Sequence, residues 1–502
     1  MRYGFVVDQD RCIGCHACTV ACKEEHQVPV GVFRTWVKYI EKGEFPHTSR
    51  HFGVMRCNHC DSAPCTEICP THALYRRSDG IIDFDNQRCI GCKGCMQACP
   101  YDALYIDPNN NTAAKCNFCA HRVENNLEPA CVIVCPTQAI IAGDLDDTAS
   151  KVSRIVATQK VSVRKPQKGT EPKLYYVGIE GDLLQPARLA RQETYMFAEQ
   201  RDDRPIKTNF DPSLTREVYD VAHPAPWGWK IAAYLWTKSI AAGVLLMTAM
   251  FLGLSATMNG PLLNVLGPFI ALGALAVTSL LLIFDLKRPD RFFYLLTKPN
   301  FRSWLVIGGY ILIGYGGLSS IWLLLGVLGQ TIPSALVLAT ALLAVATACY
   351  SAFLFAQAKG RDLWQSPMFL WHLLMHALIA GSATLALVGF VADRLILLDY
   401  AVRILVLFLV ISLLMVLAEI ALPHVSVDAQ LAMRALVRGH LSMRFWGLAV
   451  GAGLAAPILL GIFSAFSGQV PGWIVTVPVL ALAGVWWFQD LWVKAGQVVP
   501  LS

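Results

Sequence analysis

Acidic residues are almost absent from the second part of this 502-residue chain. Residues 229–502 carry 8 Asp and Glu, whereas residues 1–228 carry 28. The cysteines divide at the same point, because 16 of the 17 lie before residue 229. Such a shortage of charge excludes an ordinary water-exposed surface for the second part. The sequence therefore joins two unlike parts, and we expect the second to lie in a lipid bilayer.

The chain also lacks a surplus of positive charge in its polar part. The net charge of +6 comes from residues 229–502, since residues 1–228 carry 27 Lys and Arg against 28 acidic residues. No basic face is implied, and we expect no nucleic-acid partner. A glycine-rich phosphate loop and a nucleophile–base pair are missing too, so chemistry on a substrate is expected to need another subunit.

Cysteine is abundant at the start of the chain, where RCIGCHACTVACK (11–23) holds four. Sixteen cysteines form four groups of four, each ending in C-x3-C, and the last three groups continue into proline. The first and third groups read C-x2-C-x2-C-x3-C, the bacterial ferredoxin run in which three thiolates hold one [4Fe–4S] cube and the fourth reaches a neighbouring cube. The spacing therefore predicts four [4Fe–4S] clusters. The groups are Cys12, Cys15, Cys18, Cys22; Cys57, Cys60, Cys65, Cys69; Cys89, Cys92, Cys95, Cys99; and Cys116, Cys119, Cys131, Cys135.

Disulfides and zinc ribbons are the alternatives for so many cysteines. A disulfide framework needs partners spread through the fold and an oxidising compartment, whereas these thiols are bunched. Zinc ribbons pair one C-x2-C with a distant second C-x2-C, which leaves the third and fourth cysteines of each group unexplained. Iron–sulfur clusters account for the whole pattern.

The predicted fold class is an α+β ferredoxin-like iron–sulfur domain of two bicluster modules, followed by an all-α bundle of eight transmembrane helices. Short β-branched or aromatic stretches after the second, third and fourth cysteine groups predict strands at 71–85, 101–108 and 137–145, and another strand is expected in 173–181. The expected domains are 1–142, the four-cluster ferredoxin domain; 143–228, an extension and linker; and 229–502, the membrane anchor with a quinone site.

Long uncharged runs in the second part predict helices that cross a bilayer, since one crossing needs about 20 apolar residues. Eight crossings place both ends of the membrane part on one side. The loops on that side carry five, two and three Lys and Arg, whereas the opposite loops carry only Arg394. By the positive-inside rule we expect the iron–sulfur domain on the cytoplasmic side of a bacterial inner membrane, unless a partner subunit carries an export signal for both. The predicted spans are 229–254, 265–286, 303–327, 334–357, 368–391, 399–421, 445–467 and 472–491.

These motifs resemble those of a known family. The cysteine groups, with their C-x2-C-x11-C-x3-CP ending, look like the four-cluster electron-transfer subunits of molybdopterin oxidoreductase complexes of the polysulfide, dimethyl sulfoxide and nitrite reductase type. The second part resembles the quinone-interacting anchors of polysulfide and nitrite reductases through FDLKRPDRFFYLL (284–296), KPNFRSWLV (298–306) and YLWTKSIAAG (234–243). Those subunits are usually separate chains, and here they look fused. The resemblance implies a partner subunit with a molybdenum or tungsten bis-pterin cofactor.

The resemblance also implies how the cysteines are shared. The first group would share two cubes with the fourth, and the second group would share two with the third. The first cube would lie nearest the catalytic partner and the last nearest the membrane. The four sets are Cys12, Cys15, Cys18 and Cys135; Cys116, Cys119, Cys131 and Cys22; Cys57, Cys60, Cys65 and Cys99; and Cys89, Cys92, Cys95 and Cys69.

Polar residues inside membrane spans are candidates for function because burying them in lipid is costly. Lys238 lies nine residues after Trp229, about 13 Å deeper at the helical rise, and Tyr234 precedes it by one turn on the same face. Asp285 ends the second crossing on the same side of the bilayer. We expect Lys238, Tyr234 and Asp285 to border the head group of menaquinone or ubiquinone and its proton route. The alternatives for Lys238 are snorkelling to the interface and a structural pair with Asp285.

Other polar groups of the membrane part are weaker candidates. His372 and His376 lie four residues apart on one face of the fifth crossing. We do not expect a haem, because its two axial ligands must approach from opposite faces, and we interpret the pair as polar packing or proton handling. Glu419 is either a proton relay or a cap near the interface. Cys349, outside the groups, is expected to be a small core residue.

Taken together, the residues and the resemblance predict a membrane-anchored electron-transfer subunit between the quinone pool and a soluble catalytic partner. Two alternatives stay open. One is a hydrogenase or a multihaem cytochrome as the partner, and the other is a non-catalytic redox sensor or anchor. The terminal substrate, the quinone type and the direction of electron flow are not encoded in any motif.

Overall fold

Two units make up the structure, a computed structural model that describes residues 1–43, 46–191, 215–254, 260, 262–467 and 472–502. The first unit consists of Met1–Pro226 together with Pro500–Ser502, and the second is Trp227–Val499. The boundary lies close to the point at which the sequence changes from polar to apolar. Residues 192–214 of the expected linker lie outside the described residues.

The first unit is built on short strands. Its three-stranded sheet has the order β8-β1-β9, in which β1 pairs antiparallel with β8 and parallel with β9. A second sheet has the order β10-β11-β2-β3, and β4-β5 and β6-β7 form separate hairpins. The strands are β1 (Tyr3–Asp8), β2 (Thr35–Lys42), β3 (Ser49–Arg56), β4 (Leu74–Arg76), β5 (Ile82–Phe84), β6 (Leu104–Ile106), β7 (Ala113–Lys115), β8 (Ile140–Asp144), β9 (Leu174–Val177), β10 (Ala190–Arg191) and β11 (Arg216–Tyr219).

The strands predicted after the cysteine groups are confirmed. The stretch after the second group forms the β4-β5 hairpin, the one after the third contains β6, and the one after the fourth contains β8. The strand expected in 173–181 is β9, and it lies in the same sheet as β1. Part of the region predicted as an extension therefore belongs to the central sheet of the first unit.

The alternation of side chains along β1 shows why the unit needs few apolar residues. Phe5 and Val7 face a core that contains cysteines and Phe118, whereas Val6 faces the opposite side and packs on Val152 of the helix Lys151–Thr158. Cysteine-lined interiors thus replace much of an ordinary apolar core. The other helices of this unit are short, namely Ala17–Glu25, Pro64–Ile68, Gly94–Ala98, Ala120–Val123, Ala130–Ile133 and Gly181–Leu184.

Within the described residues, the second unit has eight helices that are long and apolar enough to cross a membrane, as the sequence predicted. Large apolar side chains such as Leu338, Leu342 and Leu414 are more than half exposed on them, which suits contact with lipid. The eight crossings are Trp229–Gly253, Leu262–Asp285, Trp304–Val327, Ser334–Ala356, Met368–Val391, Leu395–Ala421, Ser442–Ala465 and Gly472–Ala495.

The observed bounds of two crossings differ from the predicted bounds for clear reasons. The sixth starts at Leu395 rather than at residue 399, because a tight turn with Asp393 at φ +51° joins it directly to the fifth. The eighth continues to Ala495 rather than 491, because Asp490 and Lys494 pair across one turn at 2.6 Å and so carry their charges within the helix.

Close helix contacts in the second unit depend on glycine. A Cβ atom on Gly243 of the first crossing would collide with the backbone of Ala377 and Gly381 of the fifth. Gly453 and Gly484 bring the seventh and eighth crossings together in the same way. Such small residues let helix backbones approach in lipid, where no hydrophobic force drives helices together. The core of this unit is therefore formed by backbone proximity as much as by large side chains.

Candidate functional site

The backbone of the four C-x2-C loops has a shared conformation. In each group the residue before the second cysteine has a positive φ, at +70° for Gly14, +44° for His59, +69° for Gly91 and +62° for Phe118. This left-handed conformation turns successive N–H groups toward one side, which forms the backbone nest found around iron–sulfur sites. Two of the four positions are occupied by bulky residues, so the conformation is held there against a steric cost.

Three cavities in the first unit are each lined by four cysteines. Their volumes are about 320, 320 and 370 Å³. Each cavity takes three cysteines from one group and one from another, the three-plus-one arrangement expected of ferredoxin clusters. The lining sets are Cys12, Cys15, Cys18 and Cys135; Cys57, Cys60, Cys65 and Cys99; and Cys69, Cys89, Cys92 and Cys95.

The remaining four cysteines lie together as well. Cys22 experiences the electrostatic influence of Cys116, Cys131 and Cys119. Nε2 of His26 lies 3.2 Å from Sγ of Cys119. The fold therefore brings the sixteen cysteines into the same four sets that the resemblance implies.

The donor set fits iron–sulfur clusters better than the alternatives. All 17 cysteines are free, so none is committed to a disulfide. Among the described residues, no three His, Cys, Asp or Glu side chains converge closely enough to hold a single metal ion. Sulfur atoms that surround a cavity without converging on one point suit a cube with an iron at each ligand position, whereas a tetrahedral zinc site needs all four within bonding distance of one ion.

The protonation of these thiols couples cluster binding to pH. Burial raises the pKa of Cys18 to about 11 and that of Cys60 to about 12, so without iron both are neutral at pH 7. Backbone N–H groups favour the thiolate form instead, since Ala139 N donates to Cys135 Sγ at 3.2 Å and Ala113 N donates to Cys89 Sγ at 3.3 Å. Iron has to displace these protons when it binds.

A buried polar cluster lies in the second unit around Lys238. The Lys238 side chain is fully buried, and its Nζ donates to Ser351 Oγ at 2.7 Å and to the Ala348 carbonyl at 2.9 Å. The same ammonium lies 4.7 Å from the centre of the Tyr350 ring. Tyr234 donates to Ser351 Oγ at 3.4 Å. The first and fourth crossings thus present a lysine, a serine and two tyrosines to one another in the interior.

The alternatives for Lys238 can now be compared with the structure. Snorkelling is wrong, because the ammonium is held inside the bundle by the fourth crossing. A pair with Asp285 is also wrong as the account of this residue, since its recorded partners are Ser351 and Ala348. Asp285 is half-buried at the end of the second crossing and acts electrostatically on Tyr234. The three residues expected to form one site are therefore connected through Tyr234.

A second polar group lies on the fifth, sixth and eighth crossings. Nε2 of His372 lies 2.8 Å from Oε2 of Glu419, and Ser366 donates to the other carboxylate oxygen at 2.8 Å. His376 and Ser239 both contact the side-chain amide of Gln489, at 3.4 and 3.2 Å. Glu419 is thus a partner of His372 in the interior and does not simply cap a helix at the interface.

Several residues of these sites were missed in the sequence. Ser351 and Gln489 resemble other isolated polar residues of the apolar helices, and no spacing distinguishes them. Arg56 carried a weak signal, because it immediately precedes Cys57, the first cysteine of its group.

Sequence models of known families match both units. The model described as polysulphide reductase, NrfD, matches residues 217–500, which is more than half of the chain. The chain belongs to the polysulphide reductase NrfD family. A model described as a 4Fe-4S dicluster domain matches residues 49–145, and one described as a 4Fe-4S binding domain matches residues 3–24. The protein is therefore a multi-pass membrane protein in which an iron–sulfur electron-transfer domain is fused to an NrfD-type membrane domain.

Curated relatives match the iron–sulfur part of this NrfD-family protein. A tetrathionate reductase subunit of Salmonella typhimurium is 43% identical over 189 residues, which cover 37% of this protein and 76% of the relative. A polysulfide reductase component of Wolinella succinogenes is 40% identical, with 35% and 94% covered. The arsenate respiratory reductase iron–sulfur subunit of a Shewanella species is 34% identical, with 35% and 96% covered. All three are subunits of reductases, which implies a catalytic partner subunit here.

Proposed function

We propose that this chain passes electrons between a membrane quinone and a molybdopterin-type catalytic subunit through four [4Fe–4S] clusters. The observation that carries the proposal is the fusion, in one chain, of four sets of four cysteines with a membrane unit whose interior holds the buried Lys238. When bound, each cube supplies one-electron transfer, which lets a two-electron quinol reaction proceed in single steps. The sixteen cysteines would hold the cubes in the four sets described above.

The quinone site of the proposal lies at Lys238, Tyr234 and Asp285. The Lys238 ammonium is a donor that can hydrogen-bond a quinone carbonyl, and Ser351 and Ala348 hold it in place until a ligand arrives. Tyr234 is a second donor beside it, and the Asp285 carboxylate is the acceptor for a proton released by a quinol. A fixed donor and a nearby acceptor are what general acid–base chemistry on a quinol requires.

The proposed catalytic partner carries a molybdenum or tungsten bis-pterin cofactor. The named relatives are subunits of tetrathionate, polysulfide and arsenate reductases. This supports a reductase partner over a hydrogenase or a multihaem cytochrome, and over a redox sensor without a catalytic partner.

The proposed location is the bacterial inner membrane with the iron–sulfur unit on the cytoplasmic side. The loops on the side of the bilayer where the membrane part begins carry most of its basic residues, which supports this orientation by the positive-inside rule. Protease treatment of right-side-out and inverted vesicles tests it, because only inverted vesicles should release fragments of residues 1–226. Cleavage in right-side-out vesicles instead would reverse the orientation.

Reduction of the clusters by a quinol tests the proposed function. The full-length protein, purified anaerobically and placed in lipid nanodiscs, is mixed with a menaquinol or ubiquinol analogue, and cluster reduction is followed by electron paramagnetic resonance. We expect reduction in the wild type and a rate about 100-fold lower in Lys238→Ala, the lower end of what a positioned proton-transfer group contributes.

Lys359→Ala is the matched control, because Lys359 is a partly exposed lysine in a loop of the same unit. It should leave the rate and the iron content unchanged. A wild-type protein whose clusters are loaded but never reduced by either quinol would contradict the proposal, and equal rates for the two lysine variants would remove Lys238 from the site.

A further inference from the structure

Arg56 is a cation in the interior of the iron–sulfur unit. Its side chain is fully buried at the end of β3. Nη1 donates to Cys131 Sγ at 3.2 Å, and the guanidinium carbon lies 4.5 Å from the centre of the Phe5 ring. Nε and Nη2 are also buried, with no hydrogen-bond partner in the described part of the chain. A buried charge is costly unless an opposite charge compensates it.

The compensating charge for Arg56 can come only from cysteine sulfur. Other buried cations of this unit have carboxylate partners, as Lys38 has Glu217 at 2.6 Å and Lys173 has Asp61 at 2.9 Å. No carboxylate of the described residues forms an ion pair with Arg56. The groups that act on it electrostatically are Cys131, Cys116 and Cys18, in that order.

These three cysteines belong to two sets. Cys131 and Cys116 are in the set with Cys22, whereas Cys18 lines the cavity with Cys135. The guanidinium therefore lies between the two sets that join the first and fourth cysteine groups. Its charge acts on both, and its hydrogen bond acts on one.

We propose that Arg56 raises the reduction potentials of the two clusters held by the first and fourth cysteine groups. This inference rests on the proposed function, which places a cube in each set. A reduced cube carries one more negative charge than an oxidised cube, so a fixed positive charge stabilises the reduced form. The hydrogen bond to Cys131 adds to this effect, because hydrogen bonds to ligand sulfur also favour reduction. One shared cation keeps both potentials high, which favours electron residence at this end of the series of clusters.

The four cysteine groups contain an internal comparison for this effect. A basic residue precedes the first cysteine of every group, as Arg11, Arg56, Arg88 and Lys115. Arg56 and Lys115 are fully buried, whereas Arg11 and Arg88 are exposed. Water screens the charge of an exposed arginine. Arg88 therefore occupies the same place in the repeat and loses the same charge on substitution, but should have little influence on a cluster.

A redox titration of the full-length protein tests the role of Arg56. Wild type, Arg56→Gln and Arg88→Gln are prepared anaerobically and titrated while the cluster signals are followed by electron paramagnetic resonance. For Arg56→Gln we expect the Cys131 cluster to shift at least tenfold toward its oxidised form, which is a potential lower by about 59 mV for one electron. The Cys18 cluster should shift less in the same direction. Arg88→Gln should shift every cluster less than threefold.

Two outcomes separate this inference from the proposed function. Arg56→Gln with full iron content and potentials within twofold of the wild type would overturn the role of Arg56 alone. Wild-type protein without cubic clusters would overturn the proposed function and this inference with it. If Arg56→Gln loses its clusters, pulsed electron paramagnetic resonance on wild-type protein with 15N-labelled arginine decides, because the hydrogen bond to Cys131 requires a 15N coupling in the reduced cluster. The absence of that coupling overturns the inference.

Discussion

Arg56 in the iron–sulfur unit and Lys238 in the membrane unit are both fully buried cations, and neither forms an ion pair with a carboxylate of the described residues. Arg56 faces a cysteine sulfur, whereas Lys238 faces a serine hydroxyl and a backbone carbonyl. The first charge is compensated when metal turns thiols into thiolates, and the second is held by neutral dipoles. The first unit thus depends on its metal for a complete interior, and the second depends on helix packing.

Removal of iron should show the largest difference between the units. In the first unit sixteen cysteines occupy the interior, and metal binding supplies much of its folding free energy. We expect an anaerobic iron chelator to make residues 1–226 fully sensitive to protease, while the helical circular dichroism of the membrane unit persists. Iron-saturated chelator is the control. A first unit that resists protease after its iron has gone would contradict the comparison.

A titratable pair should give the next largest effect, and only in the first unit. Nδ1 of His223 lies 2.7 Å from Asp102 and Nε2 lies 3.4 Å from Asp220. Burial alone lowers the pKa of His223, but hydrogen bonds to both carboxylates outweigh burial and raise the pKa to about 9. The stabilisation, at most about 3 kcal/mol, is therefore fully present below about pH 6.5 and is lost as the pH rises through 9.

Hydrogen exchange measures this pH effect. The amides of β11, which lies next to His223 in the chain, should lose up to about 100-fold protection between pH 6.5 and 9.5, after correction for the intrinsic exchange rate. In His223→Gln the protection should be lower at pH 6.5 and nearly independent of pH. A wild-type protection that does not change over this interval would show that the imidazolium does not stabilise this segment.

A glycine contact should give the smallest effect, and only in the membrane unit. A Cβ on Gly381 would collide with the backbone of Gly243, whereas nothing lies within 4 Å of a Cβ on Gly309. Gly381→Ala should therefore destabilise the membrane unit by about 1–3 kcal/mol. Gly309→Ala should be neutral or slightly stabilising.

Thermal unfolding in detergent, followed by helical circular dichroism, compares the two glycine variants. Iron content should be unchanged in both. Equal unfolding temperatures for Gly381→Ala and Gly309→Ala would mean that the close approach of the first and fifth crossings does not stabilise the unit.

The sequence predicted the cysteine groups, the eight crossings and Lys238, because these depend on local spacing and on the cost of placing polar atoms in lipid. It did not predict the positive φ of His59 and Phe118, since glycine is the residue that usually indicates this conformation. The same loop closure imposes it on all four groups. Knowledge of the first and third groups, with Gly14 and Gly91, would have allowed the other two to be inferred.

The partners of buried charges could not be predicted from the sequence. A basic residue precedes all four cysteine groups, and only the tertiary fold decides that Arg56 is buried and Arg88 is exposed. Similarly, Ser351 is one of many hydroxyl residues in the apolar helices, and its contact with Lys238 depends on how the first and fourth crossings pack. Long-range contacts of this kind leave no periodic trace along the chain.

Iron and acid-labile sulfide per molecule, measured on anaerobically purified full-length protein, test the central claim that sixteen cysteines hold four cubes in a protein that continues into a membrane unit. The account predicts about sixteen of each per molecule, with zinc near zero. About eight or fewer iron atoms per molecule, or zinc in place of iron, would contradict it.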